Sequence, residues 1–344
     1  MRLLKIAALL LAIFLAAAGY AGYRAYQLVR EPHKGFAEPE VFVTIERGAS
    51  AVRIAESLEE RGVVRDRTLF ILALRYRGQT GKLQAGEYRF AEPSSTLAVL
   101  DRLVAGDIYT LAVGVPEGLT LLESAEHLEG LGLGEASAFV RSFEDPGGIR
   151  DLDPLATNLE GYLYPTTYRF TRSVEPGEVA RTMVSQFKDV FDEKRRARAK
   201  ELGLTAREVV TLASVVEKET GVAEERPLIG SVFRNRLERG MPLQSDPTII
   251  YALKLEGRYD GNLRRADLEL DSPYNTYRVP GIPPGPIASP GEAALDAVLH
   301  PADTPYLYFV ARNDGSHQFS ATYAEHAAAV RRYQVEYFRR GRSR

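Results

Sequence analysis

Cysteine is absent from the 344 residues. That excludes a thiol nucleophile, a zinc–thiolate centre, a disulfide and a lipid-modified N-terminal cysteine. It also suits an oxidising compartment. Histidine is scarce. His33, His127, His300, His317 and His326 are not spaced as a helical ligand pair, and there is no H-E-x-x-H. The chain also lacks a G-x-S-x-G elbow, a P-loop and a G-x-G-x-x-G turn. Metal, phosphate and dinucleotide chemistry therefore lose ground, and no metal or other cofactor is expected. A net charge of −2 leaves no basic field to hold nucleic acid. Low-complexity tracts are missing too. What is present is ordinary for a globular protein, with 45% apolar and 26% charged residues over a length that suits two or three domains.

The one long apolar run lies at the start, in MRLLKIAALLLAIFLAAAGYAGYRAYQLVREP. Residues 6–23 carry no charge, close to the ~20 residues a membrane-spanning helix needs. Arg2 and Lys5 flank it on one side, Arg24 and Arg30 on the other, so charge gives no clean orientation. A cleaved signal peptide is the alternative, with AAAG offering small residues for cleavage. The run exceeds the usual apolar core of such a peptide, and an uncleaved anchor is the expectation. Residues 31–40 then form a polar, proline-containing linker.

Beyond the linker, VFVTIE (41–46) alternates like a strand. Gly48 turns the chain, Ser50 offers an N-cap, and Ala51, Ile54, Ala55 and Leu58 follow at helical spacing. TLFILALRY (68–76) reads as a helix or an apolar strand, and GEYRF (86–90) as a closing strand. A weak repeat appears at a shift of 70 residues. Ile45, Gly48, Ser50, Ala55, Leu58 and Gly62 align with Val115, Gly118, Thr120, Ala125, Leu128 and Gly132. Any strand–turn–helix unit shares part of that pattern. The first copy resembles the small LysM-like modules that bind cell-wall glycans. A long helix is expected at about 176–202 and another at 227–240, with Pro227 in its first turn and Gly240 past its end. SPYNTYRVPGIPPGPIASPG (272–291) is a Gly/Pro-rich loop of the kind that lines sites, and residues 306–320 form a hairpin around NDG.

Carboxylates, hydroxyls, amides and aromatics are the chemistry that remains. They suit carbohydrate cleavage, where a protonated carboxyl gives its proton to a glycosidic oxygen. In GLTAREVVTLASVVEKETG, Thr205 and Glu208 form a capping box for an apolar helix that ends in two glutamates. At 100° per residue, Leu212, Val215 and Val216 fall within about 60° of Glu219, whereas Glu217 lies about 160° away beside Val210 and Ala213. The two carboxyls cannot share one pocket. Glu219 continues an apolar face, so desolvation should raise its pKa, and the helix C-terminus acts in the same direction. A general acid needs that shift. A glutamate near a helix end is, however, most often simply solvated.

LASVVEKETGVAEERPLIGSVFRNRLERGMPLQSDPTIIYAL resembles the endolytic murein transglycosylase family, the YceG-like proteins. So do LEGYLYPTTY, the 272–291 loop and HPADTPYLYFVARNDGSHQFSATYAEH, in the family's order, and the resemblance covers residues 41–335. It implies a membrane-anchored lytic transglycosylase cutting inside peptidoglycan glycan strands, with Glu219 as the catalytic acid and base. Lysozyme-like lytic transglycosylases usually show Glu-Ser here; this chain has Glu219-Thr220, which keeps the hydroxyl. In the implied reaction Glu219 protonates the oxygen between N-acetylmuramic acid and N-acetylglucosamine, then accepts the proton of the muramyl C6 hydroxyl, leaving a 1,6-anhydro end. Asp246, Glu160 and Glu225 are possible second acids, so hydrolysis stays open, as does a non-catalytic wall-binding scaffold.

Gln244, Ser245 and Asp246, together with Thr220, are candidate sugar contacts, although a helix cap and turn explains residues 244–246 equally well. Tyr274, Asn275 and Tyr277 offer an aromatic platform with an amide, or else pack the loop onto the core. Glu225 and Arg226 suggest an ion pair at a helix start. Tyr162 and Tyr164 are expected to divide between core and cleft wall, and His317 to be a surface histidine. The fold class expected is α+β: an N-terminal transmembrane helix, small LysM-like α/β modules, and a mixed α+β catalytic domain around a central helix. Its divisions are 1–30 (cytoplasmic tip and anchor), 31–40 (linker), 41–110 (LysM-like module), 111–150 (second strand–helix module), 151–335 (catalytic) and 336–344 (basic tail). The expected partners are glycan strands, the cytoplasmic membrane through residues 6–23, and the cell-wall synthesis complex. The body after residue 40 is expected outside the cytoplasm.

Overall fold

A computed structural model describes residues 2–337 and 339. Most of the expected basic tail, residues 338 and 340–344, lies outside the described residues. The chain divides into two compact units, Met1–Leu111 and Ala112–Arg344. The protein is mixed α+β but mostly helical. Its strands form small two-stranded sheets.

The first unit opens with α1 (Arg2–Leu28). Within it Lys5–Leu28 is long and apolar enough to cross a membrane, with a mean hydropathy of 2.0 and none of it buried against protein. A signal sequence has the same properties. The unit continues with β1 (Val41–Ile45), α2 (Ala51–Glu60), α3 (Arg67–Tyr76), β2 (Gly86–Phe90) and α4 (Thr96–Ala105). β1 and β2 are antiparallel, with Val41 opposite Phe90 and Val43 opposite Tyr88. Strand alternation sends Val41, Val43, Ile45, Tyr88 and Phe90 to one face. There they meet Leu58, Phe70, Leu74 and Leu100 in a core whose buried residues lie between 41 and 103. Residues 68–76 are helical because Asp66 accepts from Leu69 N at 2.9 Å and caps the start, while Phe70, Ala73 and Leu74 bury one stripe.

The second unit follows from β3 (Leu111–Gly114), α5 (Leu121–Gly130), α6 (Ala136–Phe143) and β4 (Thr167–Phe170), with β3 beside β4. The 70-residue repeat has a geometric counterpart. Gly48 and Gly118 both turn at positive φ (80° and 75°), Ser50 and Thr120 both cap, and Ala55, Leu58, Ala125 and Leu128 are buried. In each copy two helices stand between the paired strands.

Next come α7 (Pro176–Val190), α8 (Glu193–Glu201), α9 (Ala206–Glu219), α10 (Arg226–Glu238), α11 (Asp246–Leu255) and α12 (Glu292–Leu299). The hairpin β5 (Tyr308–Ala311) and β6 (His317–Ser320) and then α13 (Tyr323–Val330) complete the unit. The single helix expected at 176–202 is two. Phe191 leaves helical geometry (ψ 58°) and is buried with its ring stacked on Phe187, and Asp192 then caps α8 by accepting from Arg195 N at 2.9 Å.

α9 is the centre of this unit, packing against α8, α10, α11 and α12. Its capping box is Thr205 with Glu208, and every residue from Val209 to Val216 is buried. The 272–291 loop is fastened to it. Ser214 Oγ accepts from Ile287 N at 3.0 Å, and Glu217 accepts from Gly291 N at 3.1 Å. Gly161 allows a close approach: its φ is +83°, and a Cβ there would meet Pro286 of the loop at 2.4 Å. Tyr162 and Tyr164 are both buried in the core, so neither forms a cleft wall.

Candidate active site

α9 ends at Glu219, and Thr220 turns the chain into extended geometry. The two terminal glutamates part there. Glu217 is paired with Arg226 at 3.2 Å in a nearly sealed contact. Glu219 faces a different space, a cavity of about 450 Å³ that it shares with Arg236, Gln244, Asp246, Tyr277, His317 and His326, among others. That volume is within the usual range of ligand pockets.

The Glu219 carboxyl is the desolvated end of a half-buried residue. Desolvation raises its pKa to about 7; the charge of Asp246 adds to the rise, while a hydrogen bond from Ser245 and the charge of Arg236 oppose it. Ser245 Oγ donates to Glu219 Oε1. Ser245 is also the first residue of the turn into α11, yet its side chain does not cap that helix. Its backbone N instead donates to Thr276 Oγ1 at 3.0 Å, which holds the residue in place.

Arg236 lies on α10 and is buried. Its Nε donates to the Leu307 carbonyl at 2.7 Å and its Nη1 to the Leu243 carbonyl at 2.7 Å, so the guanidinium is held beside the acid by main-chain oxygens. Burial lowers its pKa below the usual arginine value. Sequence reasoning missed it. A signal existed: Ile229, Val232, Phe233 and Arg236 fall on one helical stripe, and an arginine ending an apolar stripe is held there by partners.

The sequence candidates separate. Gln244 is exposed at the cavity with a positive φ of 51°. Its Oε1 lies 3.3 Å from Arg236 Nη1. Asp246 accepts from the Tyr277 hydroxyl at 2.6 Å, and both line the cavity. Asn275 is fully buried, and its amide donates to the Leu268 and Leu270 carbonyls at 3.0 and 2.8 Å; it shapes the loop. Tyr274 packs edge-on to Tyr251 and is not among the residues lining the Glu219 cavity. The expected platform thus reduces to Tyr277. Thr220 is buried, and its hydroxyl donates to Glu225 at 3.1 Å.

Glu225 and Arg226 do not pair with each other. Glu225 takes His317, whose backbone N and ring Nδ1 each lie 2.7 Å from its carboxyl, and Arg226 takes Glu217. His317 is accordingly not a surface residue. Glu160, another possible second acid, lines a separate cleft. It accepts from Leu121 N at 3.0 Å and from the Tyr251 hydroxyl at 3.2 Å, and burial raises its pKa to about 7. Of the three second acids considered, only Asp246 lines the Glu219 cavity. Among the described residues no group of three or more His, Asp or Glu side chains is arranged to hold a metal ion.

A family model of YceG-like proteins matches residues 43–332. The chain belongs to the YceG-like family. Its relatives include an endolytic murein transglycosylase of Bacillus subtilis, 32% identical over 88% of this chain and 87% of that protein. An endolytic murein transglycosylase of Streptococcus pneumoniae is also 32% identical, over 87% of this chain; the match spans 60% of that longer protein. A crystal structure of a yceG-like protein from Listeria monocytogenes aligns with a TM-score of 0.57 at 31% identity, covering 84% of this chain and 98% of that one. The family match takes in the whole of α9 and every residue that lines the Glu219 cavity except Gln334.

Proposed function

We propose that this protein is a membrane-anchored lytic transglycosylase. It cuts the β-1,4 bond between N-acetylmuramic acid and N-acetylglucosamine within peptidoglycan strands, leaving a 1,6-anhydro end. The names of its relatives support the substrate class. The observation that carries the chemistry is Glu219, whose pKa near 7 keeps a large protonated fraction at neutral pH. It can give that proton to the glycosidic oxygen. Arg236 and the Ser245 hydroxyl then stabilise the carboxylate that forms, and Gln244, Asp246 and Tyr277 offer hydrogen bonds to sugar hydroxyls. Asp246 is tied to Tyr277, which favours a binding role over that of a second acid.

The anchor is α1, and the remainder works outside the cytoplasm on strands being made by the cell-wall synthesis complex. The β1–α2–α3–β2 arrangement of the first unit supports a LysM-like, glycan-holding role.

The test is digestion of purified sacculi. Anhydro-muropeptides are expected from the wild type, and Glu219→Gln should lose at least the ~10²–10⁴ of a general acid while staying folded. Glu217→Gln should keep its chemistry, because Glu217 serves the Arg226 contact. Reducing ends would make the enzyme a muramidase, and no release would make it a binding scaffold.

A further inference from the structure

The cavity holds a second group suited to proton transfer. His317 begins β6, and its ring is fixed from two sides. Nδ1 lies 2.7 Å from Glu225 Oε2, and the Phe309 ring meets the imidazole edge-on at 5.5 Å between centroids. Glu225 is held in turn by the Thr220 hydroxyl, next in sequence to the acid, and by His317 N. Burial alone would raise the Glu225 pKa, but the hydrogen bonds from His317 and Thr220 hold it below the usual carboxylate value. An ionised carboxylate only accepts, so Nδ1 carries a proton, and in the uncharged form of the ring Nε2 is then the acceptor. No hydrogen bond to Nε2 occurs among the described residues, and it is not one of their sealed unpaired atoms. The ring lines the same cavity as Glu219.

We propose that His317, oriented by Glu225, is the base of this site, a role that rests on the transglycosylase reading above. Its substrate is a glycan whose cleaved residue carries a free primary hydroxyl at C6. As O6 bonds to C1, its proton passes to Nε2. The bond from C1 to the leaving oxygen breaks, and that oxygen takes the proton of Glu219. One proton has then left Glu219 and one has arrived at His317, and exchange with solvent restores both. Glu219 need not change from acid to base within a turnover. Glu225 is a positioning residue. The other titratable or charged groups facing the cavity are Arg236 from α10, Asp246 from α11, Tyr277 from the loop and His326 from α13.

The test uses full-length protein and sacculi. His317→Asn keeps an N–H donor where Nδ1 stands and removes Nε2. Expected is a fall in kcat of ~10²–10⁴, KM within about threefold, and loss of the acid limb of the pH–rate profile. Imidazole added to His317→Ala should restore part of the lost rate. A purely structural histidine predicts the reverse: Asn near wild-type kcat, and Ala indifferent to imidazole. Either result overturns the assignment. Products from the wild type keep the two readings apart. Anhydro ends with an active His317→Asn sink only the base, whereas reducing ends from the wild type sink the transglycosylase reading and the base with it.

Discussion

At Glu219 the pKa shift is also a statement about stability. The folded value is about 7 against 4.5 for the unexposed-to-protein reference, so the native state holds more protons than the unfolded chain between those values. Stability from this group is therefore fully present below pH ~4.5 and is lost as pH rises through ~7. At ~1.4 kcal/mol per pKa unit the loss is roughly 3–4 kcal/mol. Glu219→Gln does not titrate. Its stability relative to wild type should rise by up to that amount between pH 4 and pH 8, read from unfolding midpoints at the two pH values. Glu160 titrates in the same window but is common to both proteins and cancels. A difference that stays constant with pH would show that Glu219 has an ordinary pKa and that the cavity does not desolvate it.

Elements locate these groups by spending side chains in two different ways. Asp192 caps α8 through its carboxyl, whereas Ser245 opens α11 but gives its hydroxyl to Glu219. Asp192→Ala should therefore cost about 1 kcal/mol, as a lost cap does. Ser245→Ala should spare α11 but remove a bond that lowers the Glu219 pKa, moving the alkaline limb of the pH–rate profile upward. A limb that stays in place would mean the hydroxyl does not govern the acid. Local signals such as the Thr205–Glu208 box, the Gly48 and Gly118 turns and the 306–320 hairpin were legible because each is set within a few residues. So was the parting of Glu217 from Glu219, which needs only the helical period. The break at Phe191 was not, since DEKRRARAKE suits a continuous helix as well as a capped one, and burial of Phe191 decides between them. The Glu225–His317 contact spans 92 residues, and Arg236 is fixed by carbonyls as far as 71 residues away. No periodicity reports such pairs.

At the scale of the whole molecule, the chain carries an apolar helix left unburied, a unit with its own core and a unit with the candidate chemistry. Lys5–Leu28 has 24 residues, about 36 Å of helix at ~1.5 Å each, against a hydrocarbon core of ~30 Å. Leu9, Leu10, Phe14 and Leu15 are all exposed, which in water would leave a large apolar surface unsatisfied. The full-length chain should therefore sediment with membranes and resist carbonate extraction, and its mature N-terminus should remain upstream of Ile6. A mature start near Gly19 would make the segment a signal peptide instead. The first unit can be separated from the chemistry by the same reasoning. The buried residues of its core lie between 41 and 103, with Val29, Phe36 and Ile108 at its margin, so deleting residues 41–110 removes every buried residue of that core. If that unit holds glycan, the shortened protein should lose much of its retention on sacculi, because a linked second contact raises effective concentration at the strand. Its kcat on short soluble glycans should be unchanged, since no residue of the deleted segment lines the Glu219 cavity. Undiminished sacculus binding by the shortened protein would assign the first unit a task other than holding glycan.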